Sequence, residues 1–486
     1  EPEGRFLTDM NGNMPNPKDV TIVKPYNYLV NLALANINAD GGSYSEAAKA
    51  FGKAIKLATN YCFLKYPVQN FGNVWEDLFH RDRDTVEFFR DLVYKESIFG
   101  LTQHSVWFTR MFCERVLMYM HDTGRVLENG YTFDEYERLM NYVLSVADAL
   151  KCVELRKDKL NELEIKTIDQ LLDDVATGDD VLNNGFRTPL DEEKENAANK
   201  PLIKTNGKIY ALPTTIGSWG WFEALLTVVR NQEKDDKQKD IDKEVGKLIE
   251  YYINEKLDEK GITHCCGDYI PPAEGEADLV VEATKGIMLF EMKKKSLTRK
   301  AKSGDTFKIM ADLLESLIDS QAQCFRTSHI LIKDGHVDLD DGKGNMTRVE
   351  KQNRTAECIS VCLGAFGPLQ DRMLIKCIMD EMCNKPMTAE YDGTDKQAIK
   401  DVKKFNKDLQ KWLTYLNEER VNGDSKTNSF FNSWFLDLEQ LMIIINEANS
   451  NDELLARLKE TKCVTMGSYN FYRERRMVRM MNFNKE

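Results

Sequence analysis

The stretch Gly275-Glu276-Ala277-Asp278-Leu279-Val280-Val281-Glu282-Ala283-Thr284-Lys285-Gly286-Ile287-Met288-Leu289-Phe290-Glu291-Met292-Lys293 decides the fold. Two runs rich in β-formers, 278–283 and 287–293, flank the turn residues Thr284-Lys285-Gly286, the pattern of a β-hairpin. Side chains alternate faces along a strand, so Ile287, Leu289, Glu291 and Lys293 share one face. Met288, Phe290 and Met292 point the other way, toward a core. The apolar strand thus ends in an acid and a base that point together, an odd use of a buried strand unless the pair acts chemically.

Such a trio suits phosphodiester hydrolysis. Two carboxylates from neighbouring strands, Asp278 and Glu291, suit Mg²⁺ or Mn²⁺, hard cations that prefer oxygen ligands. The carbonyl of Met292, between the acid and the lysine, is a further candidate ligand. A bound metal polarises phosphate and acidifies water. Lys293 is placed to orient the attacking water or to stabilise developing charge.

Asp278, twelve residues, Glu291, one residue and Lys293 resembles the active-site signature of the PD-(D/E)xK (restriction-endonuclease-like) nuclease superfamily. The Gly-x-x-Asp-Leu-Val opening at Gly275 is similar to its RecB-like branch, with Ala277 in place of the proline. That branch carries a Gln-x-x-x-Tyr motif on the helix after the lysine strand; Gln321 stands here with Phe325 at the tyrosine position. The family also places an acid on a helix before the first strand, and Glu250, in a helical pattern from Lys243 to Ile253, is the candidate. The resemblance implies Asp278, Glu291, Lys293 and Gln321 as catalytic residues, with Glu250, Asp278, Glu291 and Met292 around Mg²⁺ or Mn²⁺. It implies Gln321 as the group that orients Lys293 or a phosphate oxygen, and DNA ahead of RNA as substrate. Repair, recombination and defence are the settings it suggests. It spans about the third quarter of the chain.

A basic run begins at the lysine strand: Lys294, Lys295, Arg299, Lys300 and Lys302, then Lys308. Backbone phosphates approaching the metal would meet it. A second cluster, Arg473, Arg475, Arg476 and Arg479 with Tyr469, Phe471 and Tyr472, suits stacked single strands or a packed amphipathic helix equally. The net charge of −13 argues against broad nonspecific DNA binding by the whole surface.

A chain of 486 residues exceeds one compact core. The expected architecture is an α/β nuclease core, a mixed central sheet flanked by helices, with large mostly α regions before and after it. The expected division is a helical region over 1–160, an acidic linker over 161–200, the core over 201–390 and a helical region over 391–486. Residues 1–20 read as an irregular arm, and Trp75, Phe79, Trp107 and Phe112 as core. Asn206-Gly207 marks a hairpin. After the Gln321 helix, strands are expected at 329–333 and 358–363, then helices at 369–382, 397–419, 435–448 and 452–459. Asp338 to Gly344 reads as an acidic turn that lacks the spacing of a calcium loop. The eleven cysteines have no zinc spacing and are expected as reduced thiols of a cytoplasmic, intracellular protein. No apolar run reaches the roughly 20 residues of a membrane helix, and no phosphate loop is present. The helical flanks are expected to select substrate or hold a protein partner.

Two bland alternatives stand beside the nuclease. Glu291 and Lys293 could be an exposed cross-strand ion pair. The whole core could be a catalytically degenerate scaffold that binds nucleic acid or protein.

Overall fold

The computed structural model describes residues 25–37, 44–65, 85–100, 104–149, 151–232, 238–271, 275–385, 387–424, 428–462 and 470–483. The irregular arm over 1–20, and Trp75 and Phe79, lie outside them. The protein is mixed α/β and divides into two compact units. The first comprises Glu1–Arg83, Arg90–Glu244 and Lys302–Gly304; the second comprises Asp84–Phe89, Val245–Ala301 and Asp305–Glu486.

In the first unit, helices Tyr26–Leu34, Tyr44–Lys65, Val106–Asp122 and Phe133–Val146 precede a small sheet. Thr132 and Glu135 start the last of these helices with a reciprocal capping box. Phe112 is buried and its ring lies 5.9 Å from that of Trp219, whereas Trp107 is 40% exposed and is not core. The sheet has four strands: β1 (Val153–Glu154), β2 (Ala176–Gly178), β3 (Leu202–Thr205) and β4 (Lys208–Ala211), in the order β1-β4-β3-β2. Asn206 and Gly207 both have positive φ, the conformation a two-residue hairpin turn requires. The acidic stretch, expected as a linker with one short helix, carries the Ile168–Val175 helix and, beyond that expectation, β2, which pairs in parallel with β3. Leu171, Leu172 and Val175 bury the helix's apolar side while Asp169 and Asp173 stay exposed.

The second unit is built on seven strands: β5 (Cys265–Tyr269), β6 (Glu276–Glu282), β7 (Gly286–Lys293), β8 (His336–Asp340), β9 (Met346–Glu350), β10 (Thr355–Cys362) and β11 (Ser433–Asp437). Their order is β11-β10-β7-β6-β5-β8-β9. β5, β6 and β7 form an antiparallel meander, while β10 runs parallel to β7 and β11 parallel to β10. A parallel pair needs a crossover. Between β7 and β10 it is the helical run Thr306–Leu313, the π turn Leu314–Ile318 and the helix Asp319–Asp334, followed by the β8–β9 hairpin. Ile287 and Leu289 are as buried as Met288 and Phe290, so β7 has core on both faces. The expected hairpin is therefore a pair of central strands rather than an edge.

Three expected elements change. Residues 329–333 are not a strand. The Asp319–Asp334 helix runs through His329-Ile330-Leu331-Ile332-Lys333 and stops where Gly335 takes φ 77°. Asp338 and Asp340 belong to β8, so the turn is confined to 341–345. The apolar run expected as a helix from Phe435 begins as strand β11. Its helix starts at Leu438, behind the Asp437–Gln440 capping box.

Candidate active site

β6 and β7 pair with Leu279 opposite Phe290. One step further along the antiparallel register sets Asp278 opposite Glu291, both side chains on the same face. That face is covered by the Asp319–Asp334 helix, whose Cys324 Sγ donates to the carbonyl of Leu289 on β7.

Glu291 is 1% exposed. Its Oε2 is buried with no hydrogen-bond partner. Burial pushes its carboxyl well above the ordinary range; the negative charge of Asp278 and the Cys324 thiol push the same way, and Lys293 pulls against them. Asp278 Oδ2 accepts from the backbone N–H of Met292 at 2.8 Å. The N–H and C=O of one strand residue point to the same side, so the Met292 carbonyl also faces β6. Glu250 lies on the Gln238–Glu259 helix. Burial raises its carboxyl too, followed by the charges of Asp278 and Glu276, against Lys247 and Lys293. Three acids and one lysine from three separate elements thus share one electrostatic neighbourhood.

Lys293 does not meet Gln321. Its ammonium pairs with Asp319 Oδ2 at 3.6 Å. Gln321 is fully buried and its Nε2 donates to the carbonyls of Cys358 and Trp434 and to Ser360 Oγ, at 2.9–3.1 Å. It ties the helix to β10 and β11 and does not aim Lys293. Phe325, one turn on, packs against Phe430. The Gln-x-x-x-Phe pair is therefore a sheet contact. Two residues that the sequence pattern did not single out hold the lysine side instead: Asp319, and Gln323, whose Nε2 donates to Asp319 Oδ1 at 2.6 Å. Their four-residue spacing along the helix is the available signal.

The basic run is mixed in role. Lys295 pairs with Glu315 at 2.8 Å and with buried Asp312 at 3.3 Å. Asp312 also accepts from the N–H and Oγ of Thr298. Lys295 thus anchors the loop after β7. Arg299, Lys300, Lys308 and Lys404 border a cavity of about 400 Å³ beside that loop, together with Asp312 and Glu315. Lys302 belongs to the first unit. Of the C-terminal arginines, Arg475 and Arg479 each pair with Glu447 and Glu460 and lock a packed helix, whereas Arg476 is exposed. Tyr469 and the Arg473 side chain lie outside what the structure describes.

Does this set fit a metal? A buried carboxylate with an unpartnered oxygen, pressed against a second carboxylate, is unfavourable until a cation neutralises it. Mg²⁺ takes one or two carboxylates and fills its octahedron with waters and phosphate oxygens. Asp278 and Glu291 fit that demand, with the Met292 carbonyl beside them and Glu250 as the next acid out. Among the described residues no group of three or more His, Cys, Asp or Glu side chains is placed to hold a metal ion, so Glu250 does not join Asp278 and Glu291 as a third side-chain ligand in this structure. Among them, too, no helix is long and apolar enough to cross a membrane.

Comparison of the chain with protein-family models, with curated proteins and with solved structures finds no match.

Proposed function

We propose that this chain is a metal-dependent nuclease of the PD-(D/E)xK, RecB-like kind. The observation that carries the reading is the buried Asp278–Glu291 pair with Lys293 beside it. The order of elements supports it: helix, three-strand antiparallel meander, helix, then a strand parallel to β7. A restriction-endonuclease-like core has that α-β-β-β-α-β order. Here the β8–β9 hairpin is inserted before β10 and lies along β5.

In this reading Asp278 and Glu291 would hold Mg²⁺ or Mn²⁺, which would polarise the phosphate and acidify a bound water. Glu291, whose carboxyl burial raises, would bind the metal as the carboxylate, any proton it carries passing to solvent. The Lys293 ammonium stands two residues further along the same face, where it can hold the attacking water in line with phosphorus. No covalent enzyme intermediate is needed. DNA is the proposed substrate ahead of RNA, with Arg299 and Lys300 as phosphate contacts. Repair, recombination or defence would be its setting, and the first unit would select substrate or hold a protein partner.

A second reading, a catalytically degenerate scaffold that binds nucleic acid or protein, is favoured by one observation. Gln321 and Phe325 are spent on packing, so that helix motif has no polar role at the site.

The test is incubation of the protein with Mn²⁺ and a panel of linear, circular and single-stranded DNA and RNA, beside Lys293→Ala. Cleavage by the wild type that chelator and the variant both abolish is the expected result. No cleavage of any substrate favours the scaffold.

A further inference from the structure

The helix that covers the site turns Gln321 to the sheet, and its backbone carries an irregularity just before that residue. Thr306 to Asp334 is one continuous helical run interrupted by the π turn Leu314–Ile318. A π turn inserts a residue and rotates the helix beyond it; such turns recur at functional sites. Past the turn, Gln321 and Phe325 face the sheet. Asp319 and Gln323, also four apart, lie on another side, because two residues along a helix turn through about 200°. That side meets the end of β7. Arg326, the next residue on it, lies with its guanidinium 5.4 Å from the Tyr269 ring at the end of β5.

Asp319 divides its two oxygens. Oδ1 accepts from Gln323 Nε2 at 2.6 Å; Oδ2 faces the Lys293 ammonium at 3.6 Å. The Lys293 and Asp319 side chains keep 23% and 24% of their exposure, so the pair is open on one side, unlike the sealed Glu291. A lysine on its four-carbon stem is a mobile point charge. A carboxylate that is itself pinned by an amide restricts where that charge can sit.

We infer that Asp319, pinned by Gln323, is the positioning residue that aims Lys293 at the reacting phosphate. The inference rests on the nuclease reading above. The role assigned to Asp319 is exerted through the lysine. The task that the family resemblance implied for Gln321 is taken here by a different pair, Asp319 two residues before it and Gln323 two residues after.

Steady-state cleavage at saturating Mn²⁺ tests this with Asp319→Asn, Asp319→Glu and Gln323→Ala, each checked for an unchanged thermal midpoint. Asp319→Asn is expected to lower kcat by about 10–10²-fold, the cost of misplacing a reacting group by an ångström or so, with KM nearly unchanged. Asp319→Glu should recover most of the loss, and Gln323→Ala should show a smaller one. Pulse acylation of amines read by mass spectrometry gives an independent view: Lys293 should label faster in Asp319→Asn than in wild type. Unchanged kcat in a cleaving wild-type background, with unchanged Lys293 labelling, overturns the positioning role alone. A shift in the Mn²⁺ concentration for half-maximal rate, with kcat intact, would make Asp319 a metal ligand and overturn it too. A wild type that cleaves nothing overturns the nuclease reading and takes the catalytic role with it, while the labelling still decides the ion pair.

Discussion

Glu291 and Glu357 stand on neighbouring strands, β7 and β10, and are 1% and 0% exposed. Their surroundings are opposite. Glu357 is neutralised on every side: Lys462 Nζ donates to both oxygens at 2.6 Å, Lys459 reaches Oε1 at 2.8 Å, and Trp434 Nε1 donates to Oε2 at 3.1 Å. Glu291 faces another carboxylate and keeps one oxygen without a partner. A buried charge with all its partners is a structural joint. A buried carboxyl without them is a cost the fold carries, and such costs gather where something must bind. The same residue type, at the same depth in one sheet, thus stands in two opposite environments.

The contrast is open to direct attack. The largest effect should fall on activity. Asp278→Asn or Glu291→Gln should reduce Mn²⁺-dependent cleavage by at least about 10³-fold, since a Lewis-acid metal supplies several kcal/mol and each ~1.4 kcal/mol is a factor of ten. Glu357→Gln should leave metal binding intact but cost about 3 kcal/mol in chemical denaturation, because it strands buried Lys462. A loss below about 1 kcal/mol would remove Glu357 from the comparison as a joint. Added Mn²⁺ should raise wild-type stability by about 2.7 kcal/mol at a hundred times Kd. The same metal should leave the Glu291→Gln midpoint where it was.

The smallest effect has the most telling sign. Without metal, Glu291→Gln should stabilise the protein at neutral pH, on the order of 1 kcal/mol, the scale of one unmet buried polar group. The folded state keeps a proton on Glu291 that the unfolded chain releases near the ordinary glutamate value of about 4.3. Metal-free stability attributable to this group therefore falls as pH rises from about 4.3 toward the raised folded value. The variant should lose that slope in urea titrations repeated from pH 4 to 8. Equal slopes in both proteins would mean that Glu291 ionises in the fold as it does in water.

Much of this was legible in the chain. The alternation from Asp278 to Lys293 gave the hairpin, the shared face and the acid–base end, because period-2 patterning survives burial. Asn206-Gly207 gave its turn, since only residues tolerant of positive φ make it cheaply. The hidden parts had physical causes. Ile330-Leu331-Ile332 is β-branched and apolar enough for a strand, but a helix already nucleated upstream propagates through it at little cost. Ser433 to Asp437 is buried on all sides, where strand and helix patterns converge. Arg475 and Arg479 left a nucleic-acid surface and a packed helix both open, because their acidic partners, Glu447 and Glu460, lie on other elements. Gln321 meets the sheet rather than Lys293 because of the phase of its helix, which composition and spacing do not announce. Glu250 was named from the resemblance alone, whereas the roles proposed for Asp319 and Gln323 needed the helix phase.

The most direct measurement is a calorimetric titration of Mn²⁺ into the wild type, Glu291→Gln and Asp278→Asn at neutral pH, in two buffers of different ionisation enthalpy. Saturable binding to the wild type is predicted, with release of a proton as Glu291 becomes a ligand, and loss of that binding in both variants. No binding to the wild type, or equal binding by all three, would contradict a metal site built on Asp278 and Glu291.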